Sequence, residues 1–373
     1  MGKTNLTGLW GFHGRRSIIA LALLIAAVVL VVRVINGGGG APAPSHATAV
    51  GPSRGKLAGA PPWYAPYVDL TLASVPRFQD TAANPSRHGV LGFIVAGPHG
   101  GCTPTWGGLS TLDQAATINS WIKQAQIAHD QVLVSFGGAK GSDLAVGCAD
   151  PTELEAAYQT VVDRYNLSAI DLDVEGPASL NATVTARRAR AIAALQRGGL
   201  TAGHPLAVWL TLTVSPSGLE QDGVAAIQQM LSAGVHLTGV NVMAFDYGPL
   251  DGHSVLSASE SALTATAGQL QSVYRSNHIR AGIGGVWHEL GATIMEGRTD
   301  TAGQVWKLSD ARALYGFALA HHLGRLSEWS LGRDQACSGA APQPSDSCSG
   351  VPQQRLEFSA NLLGRVAVGT ANP

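Results

Sequence analysis

The chain has 373 residues, of which 45% are hydrophobic and 13% charged, and its formal net charge is −1. So few charges beside so much apolar sequence exclude an intrinsically disordered protein. The near-neutral balance, with no basic block in the body of the chain, also speaks against a nucleic-acid-binding protein. After the N-terminal segment, the remaining length fits one large domain or two small ones.

The first 36 residues predict a signal peptide or a signal anchor. Arg15 and Arg16 precede the apolar run Ile18–Val32, which is short for a membrane span and typical of a secretory signal. Continuation of the apolar sequence to Ile35 makes an uncleaved anchor equally consistent, although Ala47–Ala49 offers a small-x-small cleavage site. Either reading predicts an extracellular protein, secreted or anchored to the membrane by this N-terminal helix alone.

Residues 37–62 consist largely of Gly, Ala, Pro and Ser and predict a flexible linker. From residue 63 to residue 373 the composition is globular, with no second low-complexity break, and predicts a single catalytic domain. Short β-branched runs alternate there with longer amphipathic stretches, which indicates a (β/α)8 barrel of the α/β class. A doubly wound open sheet is the alternative, but no glycine-rich phosphate loop follows the first strand. The eight candidate strands are Tyr67–Leu72, Gly89–Ala96, Gln131–Phe136, Ala169–Val174, Ala207–Val214, Gly239–Ala244, Ile279–Gly284 and Arg325–Ser330.

The amphipathic stretches between these strands predict the helices of the barrel. The second of them opens with Thr152 and Glu155, which have the spacing of an N-terminal capping box. The predicted helices are Ser110–His129, Thr152–Tyr165, Ser179–Gln196, Val224–Ala233, Ala258–Ser276 and Ser309–His321.

Four cysteines are present, none of them in a Cys-x-x-Cys spacing, and an even number in an exported protein predicts two disulfides. Sequence leaves three pairings open, as well as four unpaired buried thiols. We favour Cys337–Cys348, which closes a Ser/Gly/Pro-rich loop, together with Cys102–Cys148, which ties two loops together. No Cys, His and carboxylate cluster has the spacing of a catalytic metal site, so the sequence predicts no metal and no cofactor.

The most informative segment alternates acidic and aliphatic residues through Asp171, Asp173 and Glu175. In a strand the three carboxylates share one face, with roughly 6.6 Å along the strand between successive members. In a barrel that face lines the interior, near the carboxyl end where such folds place their chemistry. Mutual repulsion and desolvation raise at least one pKa, which favours Glu175, nearest the mouth, as a general acid. A divalent-cation site and a solvated edge strand are the alternatives, although oxygen-only cation sites usually draw on loops.

The Asp-x-Asp-x-Glu run resembles the signature of glycoside hydrolase family 18, the chitinases. Three further motifs are similar to the third, sixth and eighth strands of that family, and together the four cover nearly the whole domain in the correct order. They are Val134–Gly138, Asn241–Tyr247 and Ser327–Ser330. Gly101-Cys102, Trp106-Gly107-Gly108 and Asp246-Tyr247-Gly248 resemble the bacterial and archaeal branch.

The resemblance implies a role for each acid. Glu175 protonates the leaving oxygen and then deprotonates water, and Asp173 orients the substrate acetamido group. Asp171 shares a proton with Asp173. The substrate's own acetamido carbonyl acts as the nucleophile, so the reaction retains the anomeric configuration.

The resemblance also implies sugar-binding residues. Asp246 and Met243 belong to the sixth-strand motif, and Trp329 is expected to stack beneath a sugar ring. Phe245 stands where the family has a Tyr, so Tyr247, two residues on, is the candidate to supply the missing hydroxyl. Ser168 replaces a further Asp that the family often has.

Two other tryptophans, Trp106 and Trp287, follow predicted strands and are expected to line a sugar cleft, with ordinary packing as the alternative. The implied function is a chitinase acting on chitin or N-acetylglucosamine oligosaccharides, with no nucleic-acid partner. An endo-β-N-acetylglucosaminidase, a peptidoglycan hydrolase and a chitin-binding lectin-like protein are the alternatives on the same fold.

Overall fold

The structure is a computed structural model that describes residues 63–72, 87–339, 341 and 343–365. The predicted signal segment, its cleavage site and the predicted linker lie outside these residues. In the part of the chain that is described, no helix combines the length and apolar character needed to cross a bilayer.

One parallel sheet organises the described chain, and its first strand is made of two short pieces, β1 (Trp63–Tyr64) and β2 (Tyr67–Asp69). The other strands of the barrel are β3 (His88–Ala96), β6 (Gln131–Gly137), β7 (Ala169–Val174), β8 (Ala207–Ser215), β10 (Gly239–Met243), β11 (Leu290–Met295) and β12 (Arg325–Trp329). Three short strands pair antiparallel with a neighbouring strand, namely β4 (Pro104–Trp106), β5 (Ser110–Thr111) and β9 (Gly218–Leu219).

The two-piece first strand closes the sheet into a barrel. β1 pairs in parallel with β12, and β2 pairs in parallel with β3. Between them the Ala65 amide donates to the Leu326 carbonyl at 3.0 Å, and the Val90 amide donates to the Pro66 carbonyl at 2.9 Å. All other neighbours, in the order β3-β6-β7-β8-β10-β11-β12, are also parallel. The predicted (β/α)8 barrel is therefore confirmed, and the doubly wound open sheet is excluded.

Helices cover the outside of the barrel. The predicted capping box of the second major helix is wrong: that helix starts one residue earlier, and the Asp150 carboxylate caps it by accepting from the amides of Thr152 and Glu153. The helices are α1 (Ala116–Ile127), α2 (Leu144–Gly147), α3 (Pro151–Arg164), α4 (Gly176–Leu180), α5 (Ala182–Thr201), α6 (Gln221–Ser232), α7 (Val255–Ser276), α8 (Leu308–His321) and α9 (Glu357–Leu362), with a 3-10 turn at Val286–Glu289.

The predicted seventh strand, Ile279–Gly284, is also wrong. This segment is irregular, Ile283 is 75% exposed, and Gly284 has a positive φ. The actual seventh strand is β11, whose six residues are all buried. An Ile/Gly-rich sequence satisfied the strand pattern, but glycine neither fills a core nor restrains the backbone, so the segment remains a loop.

The two faces of β7 separate the apolar core from the barrel interior. Ile170, Leu172 and Val174 belong to the large hydrophobic cluster beneath the helices. The opposite face carries Asp171 and Asp173, which are buried. The interior of the barrel is therefore polar at the level of the acidic run.

A buried ion pair joins α5 to Asp143, the residue that caps the N-terminus of α2. Arg188 of α5 donates to Asp143 at 2.7 Å, and both side chains are almost inaccessible to solvent. We expect Arg188→Met to lower the free energy of unfolding by about 3–5 kcal/mol, because it leaves Asp143 buried without its partner. Denaturant unfolding measures this loss. Arg190→Met, on the exposed face of the same helix, is the control and should change the free energy of unfolding by less than about 0.5 kcal/mol. Equal effects of the two substitutions would contradict the assignment.

The four cysteines form two disulfides. Cys102, after β3, is joined to Cys148, after α2, and Cys337 is joined to Cys348 in the segment after β12. This is the pairing that the sequence favours.

Candidate active site

The acidic run lies where the barrel fold places chemistry. Asp171 and Asp173 are inward-facing residues of β7, opposite Ser135 and Gly137 of β6. Glu175 is the first residue beyond β7, and it is half-buried at the mouth, immediately before α4. The three carboxylates thus rise from the floor of the barrel to its rim.

Asp171 is fully buried and accepts hydrogen bonds on both oxygens. The hydroxyls of Tyr67 and Ser135 donate to Oδ2 at 3.0 and 2.8 Å. The Thr211 hydroxyl donates to Oδ1 at 2.8 Å, and Arg325 Nη1 donates to the same atom at 3.2 Å. Four strands therefore supply donors to this one carboxylate.

Arg325 is a charged residue inside the barrel floor. Its Nε donates to the Ser327 hydroxyl at 2.8 Å, and its guanidinium carbon lies 5.1 to 5.5 Å from three aromatic ring centroids. Such ring faces stabilise a guanidinium that is removed from water. The rings are those of Trp63, Tyr67 and Trp209. Gly291 of β11 makes room for this side chain, because a Cβ there would lie 3.0 Å from Arg325 Cβ.

Asp173 differs from Asp171 in having an open acceptor. It is buried, yet Oδ1 has no hydrogen-bond partner among the described residues. Burial first, then the charges of Glu175 and Asp171, raise the pKa of Asp173 well above its ordinary value, while Arg325 lowers it. In the described chain no hydrogen bond joins Asp171 to Asp173, although the resemblance implies that they share a proton.

Glu175 has the protonation behaviour of a general acid. Burial and the negative charge of Asp246 raise its pKa to about 7. A carboxyl group with this pKa is protonated in a large fraction of molecules near neutral pH, and it can both give and take a proton there.

A glycine allows β6 to pass close to the acids. Gly137 has φ +105°, and a Cβ at this position would lie 2.0 Å from the Asp173 carbonyl oxygen. The next amide, that of Gly138, donates to the same carbonyl at 3.0 Å. The third-strand motif thus fixes the backbone at Asp173.

The sixth-strand motif differs in part from the expectation. Met243 is the last residue of β10 and is buried, and Asp246 accepts from the Thr301 amide at 2.7 Å. Asp246 has φ +53°, which breaks the strand alternation. Tyr247 therefore does not face the site: its hydroxyl donates to Ser259 of α7 at 2.9 Å, outside the barrel. The prediction that Tyr247 replaces the missing hydroxyl is wrong.

Trp329 lies at the carboxyl end of β12 beside two other aromatic residues. Its ring centroid is 6.1 Å from that of Tyr67 and 5.4 Å from that of Phe93. Phe93 was not predicted from sequence, because the register of β3 is irregular between Leu91 and Ile94 and simple alternation does not assign its face.

The other two tryptophans do not line a cleft. Trp106 is completely buried, and its indole nitrogen donates to the Tyr165 hydroxyl at 2.9 Å. Trp287 precedes β11 instead of following the seventh strand, so it lies at the amino end of the barrel, against Phe317 and His321. Both substrate-binding predictions are wrong, the second because the seventh strand was misplaced.

Several site residues were missed although the sequence carried a signal for them. Thr211, Asn241 and Arg325 are polar residues within predicted strands, at positions whose side chains point inward. Asn241 donates to the hydroxyls of Thr211 and Thr293 at 3.1 and 2.8 Å and joins the same network. Polar residues in an otherwise apolar strand were the available sign of a polar barrel interior.

One group of described residues has metal-ligand proximity, namely Cys102, Cys148 and Glu153. The two sulfur atoms are bonded to each other in a disulfide, so they are not free thiolate ligands.

The amino-acid sequence of the chain was compared with those of known proteins. No family model matches the chain. Over 276 residues it is 33% identical to the probable bifunctional chitinase/lysozyme of Escherichia coli, and over 277 residues it is 32% identical to endochitinase 11 of Metarhizium anisopliae. Each alignment covers 73% of this chain but only 31% and 52% of those curated relatives, so the chain spans at most about half of their length.

Solved structures of chitinases also resemble the fold of this chain. The catalytic domain of the hyperthermophilic chitinase from Pyrococcus furiosus superposes with a TM-score of 0.71 at 25% identity, over 82% of this chain and 94% of that chain. Catalytic-site mutants of active domain 2 of the thermostable chitinase from that organism, complexed with chito-oligosaccharides, superpose with a TM-score of 0.69 at 25% identity, over 82% and 96%.

In fold and in sequence the chain is therefore similar to chitinases. These relatives and structural neighbours come from a bacterium, a fungus and an archaeon.

Proposed function

We propose that this protein hydrolyses the β-1,4 bonds of N-acetylglucosamine polymers such as chitin. The observation that carries the proposal is the pairing of a half-buried Glu175, whose pKa is about 7, with a buried Asp173 that has an open acceptor oxygen. The first group can protonate a leaving oxygen, and the second can accept the N–H of an acetamido group.

The placement of the acids supports a substrate-assisted mechanism. In most retaining glycosidases a second carboxylate lies about 5 Å from the acid, across the scissile bond. Asp171 and Asp173 instead lie on β7, directly before Glu175, which supports placing them on its side of the bond. Family 18 is among the exceptions in which the substrate supplies the nucleophile.

The steps balance without a protein nucleophile. Glu175 gives its proton to the glycosidic oxygen while the acetamido carbonyl oxygen bonds to the anomeric carbon, and the leaving sugar departs. Asp173 accepts a hydrogen bond from the acetamido N–H and stabilises the positive charge of the oxazolinium. Glu175, now ionised, takes a proton from a water molecule. The water oxygen bonds to the anomeric carbon as the bond from that carbon to the acetamido oxygen breaks, which restores the acetamido group and retains the β configuration. We place Asp246 beside the acetamido group, and Trp329 beneath the sugar ring.

This assignment predicts the alkaline limb of the pH profile. kcat/KM should fall above about pH 7, because Glu175 must be protonated to act and burial with Asp246 sets its pKa at about 7. Asp246→Asn removes a negative neighbour, lowers the pKa of Glu175 and so moves the limb to lower pH. Rates on a chromogenic chitin oligosaccharide from pH 5 to 9 measure the shift. Asp251→Asn, exposed in the same loop, is the control. A limb that does not move in Asp246→Asn would refute this cause.

A second candidate substrate is peptidoglycan, because one relative is named as a bifunctional chitinase/lysozyme. Product analysis on chitin oligosaccharides, peptidoglycan and an N-glycosylated protein, side by side, tests the choice, with Glu175→Gln as the control for contaminating activity. Release of N-acetylglucosamine oligomers from chitin alone supports the chitinase. Products from peptidoglycan or glycoprotein alone would overturn it, and no product from any of them would favour a lectin-like protein.

We also propose that the protein is exported, either secreted or held by its N-terminal segment. Two disulfides in the structure suit an oxidising compartment, and the charged and apolar order of residues 15–32 suits a signal. N-terminal sequencing of protein recovered from the culture medium and from washed membranes tests both forms. Recovery from the cytoplasm alone would refute export.

A further inference from the structure

We propose that the amino end of the barrel, opposite the acids, is a surface that binds an anionic lipid bilayer. The surface, called here the amino-end face, consists of the ends of α1, α5 and α7 together with the loop that follows each. Its residues are 123–130, 197–206 and 275–289. The inference goes beyond the proposed function and does not depend on it.

Exposed apolar side chains are concentrated on the amino-end face. Five large hydrophobic side chains are exposed among the described residues, and four of them lie on this face, namely Ile127, Leu200, Ile279 and Ile283. The fifth, Leu109, lies in the turn after β4, which pairs with the carboxyl-terminal residues of β3. A single exposed apolar residue needs no explanation, but their concentration at one end of a barrel marks a contact surface.

The loop before β11 holds one of these side chains in solvent. Ile283 is 75% exposed, in a turn that the Gly285 amide closes by donating to the Gly282 carbonyl at 3.0 Å. The Glu289 carboxylate accepts from the Gly282 amide at 2.6 Å and ties this turn to the residue before β11. Ile283 is therefore kept out of the core, and insertion into the edge of a bilayer would remove it from water.

The charges of the amino-end face fit an anionic partner. Four exposed cations on it have no carboxylate within ion-pair distance among the described residues, and they are Lys123, Arg197, Arg275 and Arg280. Its two acids are already engaged, because Asp130 is buried and paired with Arg87, and Glu289 binds the turn described above. Asp163, exposed at the end of α3, lies outside the face. Unpaired Lys and Arg side chains attract anionic lipid headgroups.

The described chain also begins at this end of the barrel. The Trp63 amide donates to the Gly324 carbonyl at 2.9 Å, and the Gly324 amide donates to the Trp287 carbonyl at 3.0 Å. The preceding sequence, which contains the apolar run Ile18–Val32, is therefore joined to the barrel at its amino end. Glu175 follows the carboxyl end of β7, so contact through the amino-end face turns the mouth away from the lipid and leaves it open to a polymer.

The experiment places a fluorescent label at each end of the barrel in the full chain. All four cysteines are in disulfides, so an introduced cysteine is the only free thiol. Ile283→Cys and Leu109→Cys are matched sites, because the native side chains are 75% and 77% exposed. With vesicles that contain phosphatidylglycerol, the emission of an environment-sensitive label at position 283 should shift to shorter wavelength and be quenched by lipid-borne quenchers. The label at position 109 should show neither change.

Substitutions separate the apolar from the charged contribution. With the label at position 200, on the same face, Ile283→Ser should raise the lipid concentration needed for half of the shift by about tenfold, the effect of one buried isoleucine. Arg280→Gln should raise it by about fivefold, and vesicles of phosphatidylcholine alone should shift the label far less. Leu109→Ser is the control and should leave the lipid dependence unchanged.

Three results would overturn the proposal. Equal shifts of the labels at positions 283 and 109 would mean that lipid contact has no preferred end. Protein that floats with the vesicles while the label at position 283 stays unshifted would mean that another segment binds the lipid. A shift without vesicles that grows with protein concentration would mean that a second copy of the chain covers the face. None of these measurements uses turnover, so loss of chitin hydrolysis and loss of lipid contact are observed separately.

Discussion

Glu175→Gln should reduce the turnover of chitin oligosaccharides by at least about 10²-fold, the lower end of general acid–base contributions. Glutamine has nearly the same size but carries no transferable proton, so protonation of the leaving oxygen is lost while the shape of the site is kept. Glu175 is half-buried at the rim of the barrel, and burial and Asp246 hold its pKa at about 7. In Glu175→Gln the sugar must therefore leave without a proton from this group, which makes it a poorer leaving group.

Binding separates this loss from misfolding. Calorimetric titration of Glu175→Gln with a chitin oligosaccharide should give a Kd close to that of the wild type, since the contacts of the remaining site are unchanged. Glu155→Gln, on α3 outside the barrel, is the matched control and should retain full turnover. Turnover of Glu175→Gln at the wild-type rate would show that another group is the acid.

Asp173→Asn should lower kcat by about 10²-fold or more, with a modest change in KM. Asparagine keeps the size and one acceptor oxygen, but it loses the negative charge that stabilises the oxazolinium. That interaction is made mainly in the transition state, so its loss lowers kcat more than it weakens binding. Asp163→Asn, exposed at the end of α3, is the control.

Two independent measurements test the same role of Asp173. A thiazoline analogue of the oxazolinium should bind the wild type much more tightly than N-acetylglucosamine, and it should lose most of that advantage in Asp173→Asn. Substrates without an acetyl group next to the scissile bond should not be cleaved, and the first product should be the β-anomer. Initial release of the α-anomer, or good turnover of deacetylated substrate, would require a protein nucleophile or an inverting water.

The sequence predicted the parts of the site that depend on strand periodicity. The alternation at Asp171, Asp173 and Glu175 assigned the three acids to one face of β7, and the structure has Asp171 and Asp173 on the interior face of that strand. It failed where the backbone leaves a regular strand, as at Asp246, whose positive φ turns Tyr247 away.

Other features depended on contacts between distant residues. Arg325 meets Asp171 across 154 positions of sequence, and no local pattern predicts that meeting. Trp106 satisfied the pattern of a loop aromatic, but its indole is buried against Tyr165, the residue that follows α3. Tertiary packing decided both cases.

The two-piece first strand has a consequence for how the protein is made. Synthesis runs from the N-terminus, and β1 cannot find its partner until β12 has left the ribosome. During that interval the sheet has two open edges, and the acids of β7 lack their cation. A polypeptide interrupted before residue 325 would carry Glu175 and most of the barrel, yet it would have no floor beneath the acids and no Trp329. The proposed site is therefore complete only when the last strand is in place, and we expect chains that end before residue 325 to be inactive.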